Sequence, residues 1–83
     1  MPTPLSGKYR GTVVDSADPM HLGRVRVSVP SVTDHVAWAM PCVPYAGHHP
    51  DMRQIPPAGT HVWVEFENSD VTQPIWVGCF WVK

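Results

Sequence analysis

The sequence predicts an all-β fold, closed or nearly closed into a small barrel, and three observations carry that expectation. Ten prolines are spread through 83 residues, at Pro2, Pro4, Pro19, Pro30, Pro41, Pro44, Pro50, Pro56, Pro57 and Pro74. Each removes a backbone N–H and clashes with the preceding turn of a helix, so a regular helix of ordinary length has no room. Apolar and polar residues alternate with a period of two in Gly23–Val29 and again in His61–Glu67, the pattern of a strand with one buried face. Composition is that of a folded chain, with 43% hydrophobic residues and a net charge of −1. A chain of this length makes one domain and buries only a little more than ~60% of the surface its unfolded state exposes.

Taken in order, residues 1–7 are a proline-bearing arm without periodicity, and residues 8–83 form the barrel domain. Lys8–Asp15 (KYRGTVVD) is the first strand; Gly11 within it suggests a bulge or a sharp bend. Ser16–Pro19 is a turn, since proline presets the backbone angle that a tight turn needs. In Gly23–Val29 (GRVRVSV), Val25, Val27 and Val29 point one way and Arg24, Arg26 and Ser28 the other, and Pro30 ends the strand. Val36–Cys42 is the third strand, with Val36, Trp38 and Met40 on one face and the small Ala37 and Ala39 on the other. Tyr45–Gly59 is a connection longer than a hairpin needs, and loops of that kind tend to carry function.

Gly59–Val82 holds three of the four tryptophans and reads as a β-hairpin. Val62, Val64 and Phe66 alternate with Trp63, Glu65 and Glu67. After the turn Asn68–Asp70, Ile75, Val77, Cys79 and Trp81 alternate with Trp76, Gly78 and Phe80, which leaves both faces of this last strand apolar. Pro74 stands at its first residue, where a missing N–H does least harm. Five strands near 8–15, 23–29, 36–42, 61–67 and 75–81, with a long connection after the third, match a Greek-key barrel of the OB type. Val13, Val25, Val27, Val62, Val64 and Phe66 are its expected core.

The residues offer little to catalysis. Glu65 and Glu67 share a strand face about 7 Å apart, and a solvated face explains them better than a carboxylate pair does, since no cleft-forming segment surrounds them. His48, His49, Asp51 and His61 make a poor metal set, because adjacent histidines in an extended segment point in opposite directions. Cys42 and Cys79 sit among apolar residues at strand spacing and read as two buried thiols. No glycine-rich phosphate loop is present, and no catalytic residue, cofactor or metal is expected. No apolar run approaches the ~18 residues of a membrane span, and no basic-then-apolar leader opens the chain, which speaks against classical secretion. Arg10, Arg24 and Arg26, with Trp38 nearby, are the candidate basic patch. OB barrels bind single strands through stacked aromatics in a positive groove, so a single-stranded nucleic-acid-binding protein is the alternative reading. The near-neutral charge and the acidic Glu65 and Glu67 weigh against it.

Four tryptophans are more rings than so small a barrel can hold. Trp63 and Trp76 alternate against the valine-rich sets, so at least one of the two is expected to face outward, and both are interface candidates. Exposed aromatic surface rimmed by charge marks a protein–protein site. The expected interface comprises Trp63 and Trp76 foremost, with Trp81, Arg24, Arg26 and Glu65.

Read together, Tyr9–Asp15, Asp18–Pro19, Gly23–Pro30, Trp38–Gly47, Pro56–Pro57, Val62–Glu67 and Pro74–Gly78 resemble the OB-fold domain of contractile-tail central spike proteins, found in phage baseplates and type VI secretion systems. The resemblance runs through nearly the whole chain, about residues 7 to 82. It implies a structural, non-enzymatic module located in a virion tail baseplate or assembled injection particle and made in the bacterial host cytoplasm. By the same resemblance it links the baseplate hub protein to the spike or tip protein for cell-envelope penetration, as one of three copies around the tail axis. No contact with nucleic acid, or with membrane in the resting state, is implied. The segment His48–Gln54 is more polar than the glycine- and aromatic-rich loop typical of that place. These residues hold neither a hub domain nor a lysozyme domain or β-helix, so no piercing or lytic activity is expected of them.

Overall fold

The computed structural model describes residues 4–51 and 54–82. Five strands run Tyr9–Asp15 (β1), Val25–Ser28 (β2), Ala37–Pro41 (β3), His61–Phe66 (β4) and Pro74–Phe80 (β5). No α-helix occurs among the described residues. The strands close into a barrel in the order β1-β2-β3-β5-β4, with β4 returning to β1. Every neighbouring pair is antiparallel except β3 and β5, which run parallel over Met40–Ile75 and Pro41–Trp76. This is the all-β, five-stranded barrel of the OB type that the alternating segments predict.

All six expected core residues are buried, and Val29, Ala39 and Trp76 join them. On β3 it is the small face that turns inward: Ala39 is fully buried, Trp38 is half-buried outside, and Val36 and Met40 are exposed. An alanine at the inner position of a barrel this narrow leaves space for a large ring. Trp76 occupies the interior, and its indole Nε1 donates to the Gly23 carbonyl oxygen at 3.3 Å.

That position corrects the assignment of Trp76 to the outer interface. The cause is a β-bulge. Trp63 pairs with Gly78 and Val64 with Trp76, so Val77 has no partner on β4. One inserted residue reverses the strand's facing. Before it, Pro74 and Trp76 lie opposite Phe66 and Val64 on the inner side. Beyond it, Phe80 stacks on Trp63 outside the barrel. The outer side of β5 is half-buried rather than covered, and Cys79 is exposed.

Gly11 keeps ordinary register opposite Val62, so it is not the bulge of β1. A Cβ there would come within 3.0 Å of Val64 Cγ2 and 3.2 Å of the Ser28 carbonyl oxygen. Glycine is required for close approach. The bulge falls at Val14 instead, between the pairs Val13–Val27 and Asp15–Arg26. The strand is shared: Tyr9–Thr12 pair with β4, and Thr12, Val13 and Asp15 pair with β2.

The β4–β5 turn is built as its polar residues suggest. Asn68 and Ser69 adopt left-handed backbone angles, φ 53 and φ 59, and Asp70 accepts from the Thr72 amide and hydroxyl. Ser69 Oγ accepts from Leu5 N–H and donates to the Leu5 carbonyl, tying the arm to this turn while Leu5 packs on the core. The first three residues of the arm, along with Met52, Arg53 and Lys83, lie outside the described residues. Cys42 and Cys79 are free and exposed, which corrects their reading as buried thiols. The β3–β5 ladder ends at Pro41 and Trp76, so both cysteines lie beyond it, Cys79 being paired only with Val62 of β4.

Candidate interface site

The outer surface carries two arrangements of arginine on aromatic rings. On the β2–β3 face, Arg26 lies opposite Trp38 in the ladder. The guanidinium carbons of Arg24 and Arg26 stand 5.4 and 5.9 Å from the Trp38 ring centre, within cation–π range. Arg24 is held from behind by Asp18, with Nη2 to Oδ1 at 2.8 Å and Nε shared between both carboxylate oxygens. Asp18 is a buried carboxylate that also accepts backbone N–H groups from Met20, Leu22 and Arg24 at 2.9, 2.9 and 3.2 Å. The Arg24 side chain, and then those backbone donors, hold its carboxyl well below the usual carboxylate range against the opposing effect of burial. The pairing in turn raises the Arg24 guanidinium further. This clasp closes the β1–β2 turn.

On the β1–β4–β5 face, Arg10 pairs across the ladder with Trp63. Its guanidinium lies 5.2 Å from the Trp63 ring centre and 4.9 Å from that of Phe80. Trp63 and Phe80 stack at 4.4 Å, and His61 adds a third ring 5.7 Å from Phe80. Gly78, directly opposite Trp63, has no side chain to hold the rings apart. Arg10 has no salt-bridge partner among the described residues. Beside this stack an open cavity of about 390 Å³ is lined by Thr60, His61, Cys79, Phe80, Trp81 and Val82. A smaller one of about 160 Å³ runs on through His61, Phe80 and Val82 to Arg10, Gly11, Thr12 and Pro30. The two make a single groove.

The expected interface residues therefore part company. Trp63 is half-buried under Arg10, Trp81 is 99% exposed at the lip of the groove, and Glu65 is half-buried on the outside of β4. Arg24 and Arg26 belong to the other face, and Trp76 belongs to the core. The three arginines do not form one basic patch, because Arg10 stacks on different rings from Arg24 and Arg26. The continuous positive groove that single-strand binding uses is divided between two faces. No three His, Cys, Asp or Glu side chains among the described residues are grouped to hold a metal ion.

Phe80 and His61 were not expected at an interface. Alternation alone assigns Phe80 to the face of Trp76, and only the Val77 bulge separates them. The Asp18 clasp left a fainter signal: an aspartate at the start of a proline-bearing turn with an arginine six residues on.

None of the curated proteins matches the chain. The family model of the type VI secretion system/phage-baseplate injector OB domain matches residues 9–81, from the first residue of β1 to just past the end of β5. That span contains the whole closed barrel and both aromatic faces. The chain thus belongs to the type VI secretion system/phage-baseplate injector OB-domain family, and its role is that of a structural baseplate or spike domain.

Proposed function

We propose that this chain is the OB module joining the baseplate hub protein to the central spike or tip protein of a contractile tail or related injection apparatus, present as a homotrimer around the tail axis. It is made in the bacterial host cytoplasm and works within the assembled particle during cell-envelope penetration. The observation that carries the reading is the family match over the entire barrel. The surface supports it: an 83-residue barrel has little core to spare, yet Trp81 is left bare and Trp63 and Phe80 only half covered. Burial of such rings against a neighbour contributes ~25 cal/mol per Å² of apolar area.

Crosslinking of assembled particles, followed by mass spectrometry, tests this. Crosslinks from the chain to both a hub protein and a spike protein are expected. Particles in which it contacts only the tail tube or sheath, or from which it is absent, overturn the linking role.

A further inference from the structure

We propose that the groove beside Phe80 and Trp81 receives the β1–β2 turn of a second copy of this chain, docked head to tail. The proposal rests on the reading of the protein as one of several copies in the assembled tail.

The turn is a prepared apolar knob. Met20 and Leu22 are 63% and 44% exposed, yet the backbone N–H of each is fixed to the buried Asp18 carboxylate at 2.9 Å. His21 between them holds φ at 54, a left-handed angle that non-glycine residues seldom adopt. A buried carboxylate and a strained residue are costly, and here they hold two apolar side chains out in water. Rigid presentation of this kind lowers the ordering entropy lost on docking.

The groove is the complementary half. Its cavity of about 390 Å³ is walled by Phe80, Trp81, Val82 and Cys79, enough room for a leucine or methionine side chain. Charge agrees as well: Arg10 at the groove has no carboxylate partner among the described residues. Asp15, at the base of the knob, uses one oxygen on the Ala17 amide.

Knob and groove lie at opposite ends of the β1–β2 hairpin. Gly11, Thr12 and Pro30 flank the groove at the open end, whereas Met20 and Leu22 form the closed one. From Thr12 to Asp15 the strand alone runs ~10 Å, so one copy cannot fill its own groove. Docking between copies leaves a free knob on one and a free groove on the other. Such a heterologous contact propagates until a rotation closes the ring.

Disulfide trapping tests the contact. Cys42→Ser leaves Cys79, which lines the groove, as the one native thiol, and Leu22→Cys places a second thiol on the knob. Oxidation with copper–phenanthroline at millimolar protein should give a bond between positions 22 and 79 of different copies, located by peptide mapping. Species larger than dimers should appear on a non-reducing gel. Met20→Cys in the same background is the second variant, should Leu22→Cys disturb the turn. Both thiols labelling freely with a small maleimide while no bond to position 79 forms would overturn the docking, as would bonds joining only like positions. Sedimentation velocity separates the two failures. Trimers without the bond to position 79 defeat this docking alone; monomers at millimolar concentration, again without the bond, defeat the copy-to-copy contact too.

Discussion

Trp38 and Trp63 are both half-buried rings on the outside of the same barrel, each under arginine, yet they are held in opposite ways. Over Trp38, Arg24 is anchored by Asp18, and that carboxylate is itself saturated by three backbone N–H groups. Over Trp63, Arg10 rests on two rings with no carboxylate partner among the described residues. Arg24 has its charge satisfied from within and serves to fix a turn, whereas Arg26 on the same ring has no ion-pair partner among the described residues. Arg10 keeps its donor capacity in reserve beside an open groove. An arginine on a tryptophan does not by itself signal a binding site; what matters is whether its fork is already occupied.

The largest expected effect tests the frame on which both faces sit. Trp76→Ala removes the central ring and its bond to Gly23, and should cost ~3–5 kcal/mol. Chemical denaturation should show a partly or wholly unfolded protein. A loss below ~1 kcal/mol would mean that the ring is not in the core.

Asp18→Ala comes next and strikes only the Trp38 face. It strips Arg24 of its partner and orphans three backbone donors, for a loss of ~3 kcal/mol. In a domain this small, each kcal/mol lowers the melting temperature by roughly 4–8 °C.

Acid gives a graded version of the same break. Asp18 titrates well below its ordinary value in the folded state, so the unfolded chain takes up the proton first. The clasp's contribution is complete above the unfolded carboxyl value, near ~3.9, and is lost as pH falls below it toward the folded value. Melting temperature against pH should therefore fall more steeply for the parent than for Asp18→Asn. Parallel curves would mean that Asp18 is not the titrating group.

Arg10→Ala should be the mildest, below about 1 kcal/mol for an exposed cation–π contact. Its consequence should appear in recovery with assembled tails instead. A melting shift as large as that of Asp18→Ala would erase the distinction between the two faces.

Much of this barrel was legible because alternation is local. Val25 and Val27, or Val62 and Val64, declare their face within a few residues. Two features escaped for the same physical reason. The Val77 bulge is a relation between β4 and β5, and nothing in PIWVGCFW marks which residue is the extra one. Alternation consequently put Trp76 and Phe80 on one side, whereas they lie on opposite sides of the barrel wall. On β3, alternation separated Trp38 from Ala39 but left open which set faces in, since that depends on a ring arriving from β5. The cysteines were misjudged because the end of the β3–β5 ladder cannot be read from the apolar residues around them. The Asp18 clasp lay closer to view, its partners all falling within six residues.

The parallel contact between β3 and β5 has a mechanical consequence. The cylinder is closed there by Met40–Ile75, Pro41–Trp76 and a single bond from the Cys42 amide to the Trp76 carbonyl at 3.0 Å. A tube fastened along so short a seam does not yield evenly when it is loaded; it opens where the fastening is thinnest. Trp76 sits on that seam, and its indole reaches across the interior to the carbonyl of Gly23, at the end of the turn that Asp18 braces. To unzip the seam, a pull must also draw a large ring out of the barrel and break its tether to the β1–β2 turn. Resistance of the barrel to opening thus depends on one side chain locking a joint that the backbone alone holds lightly.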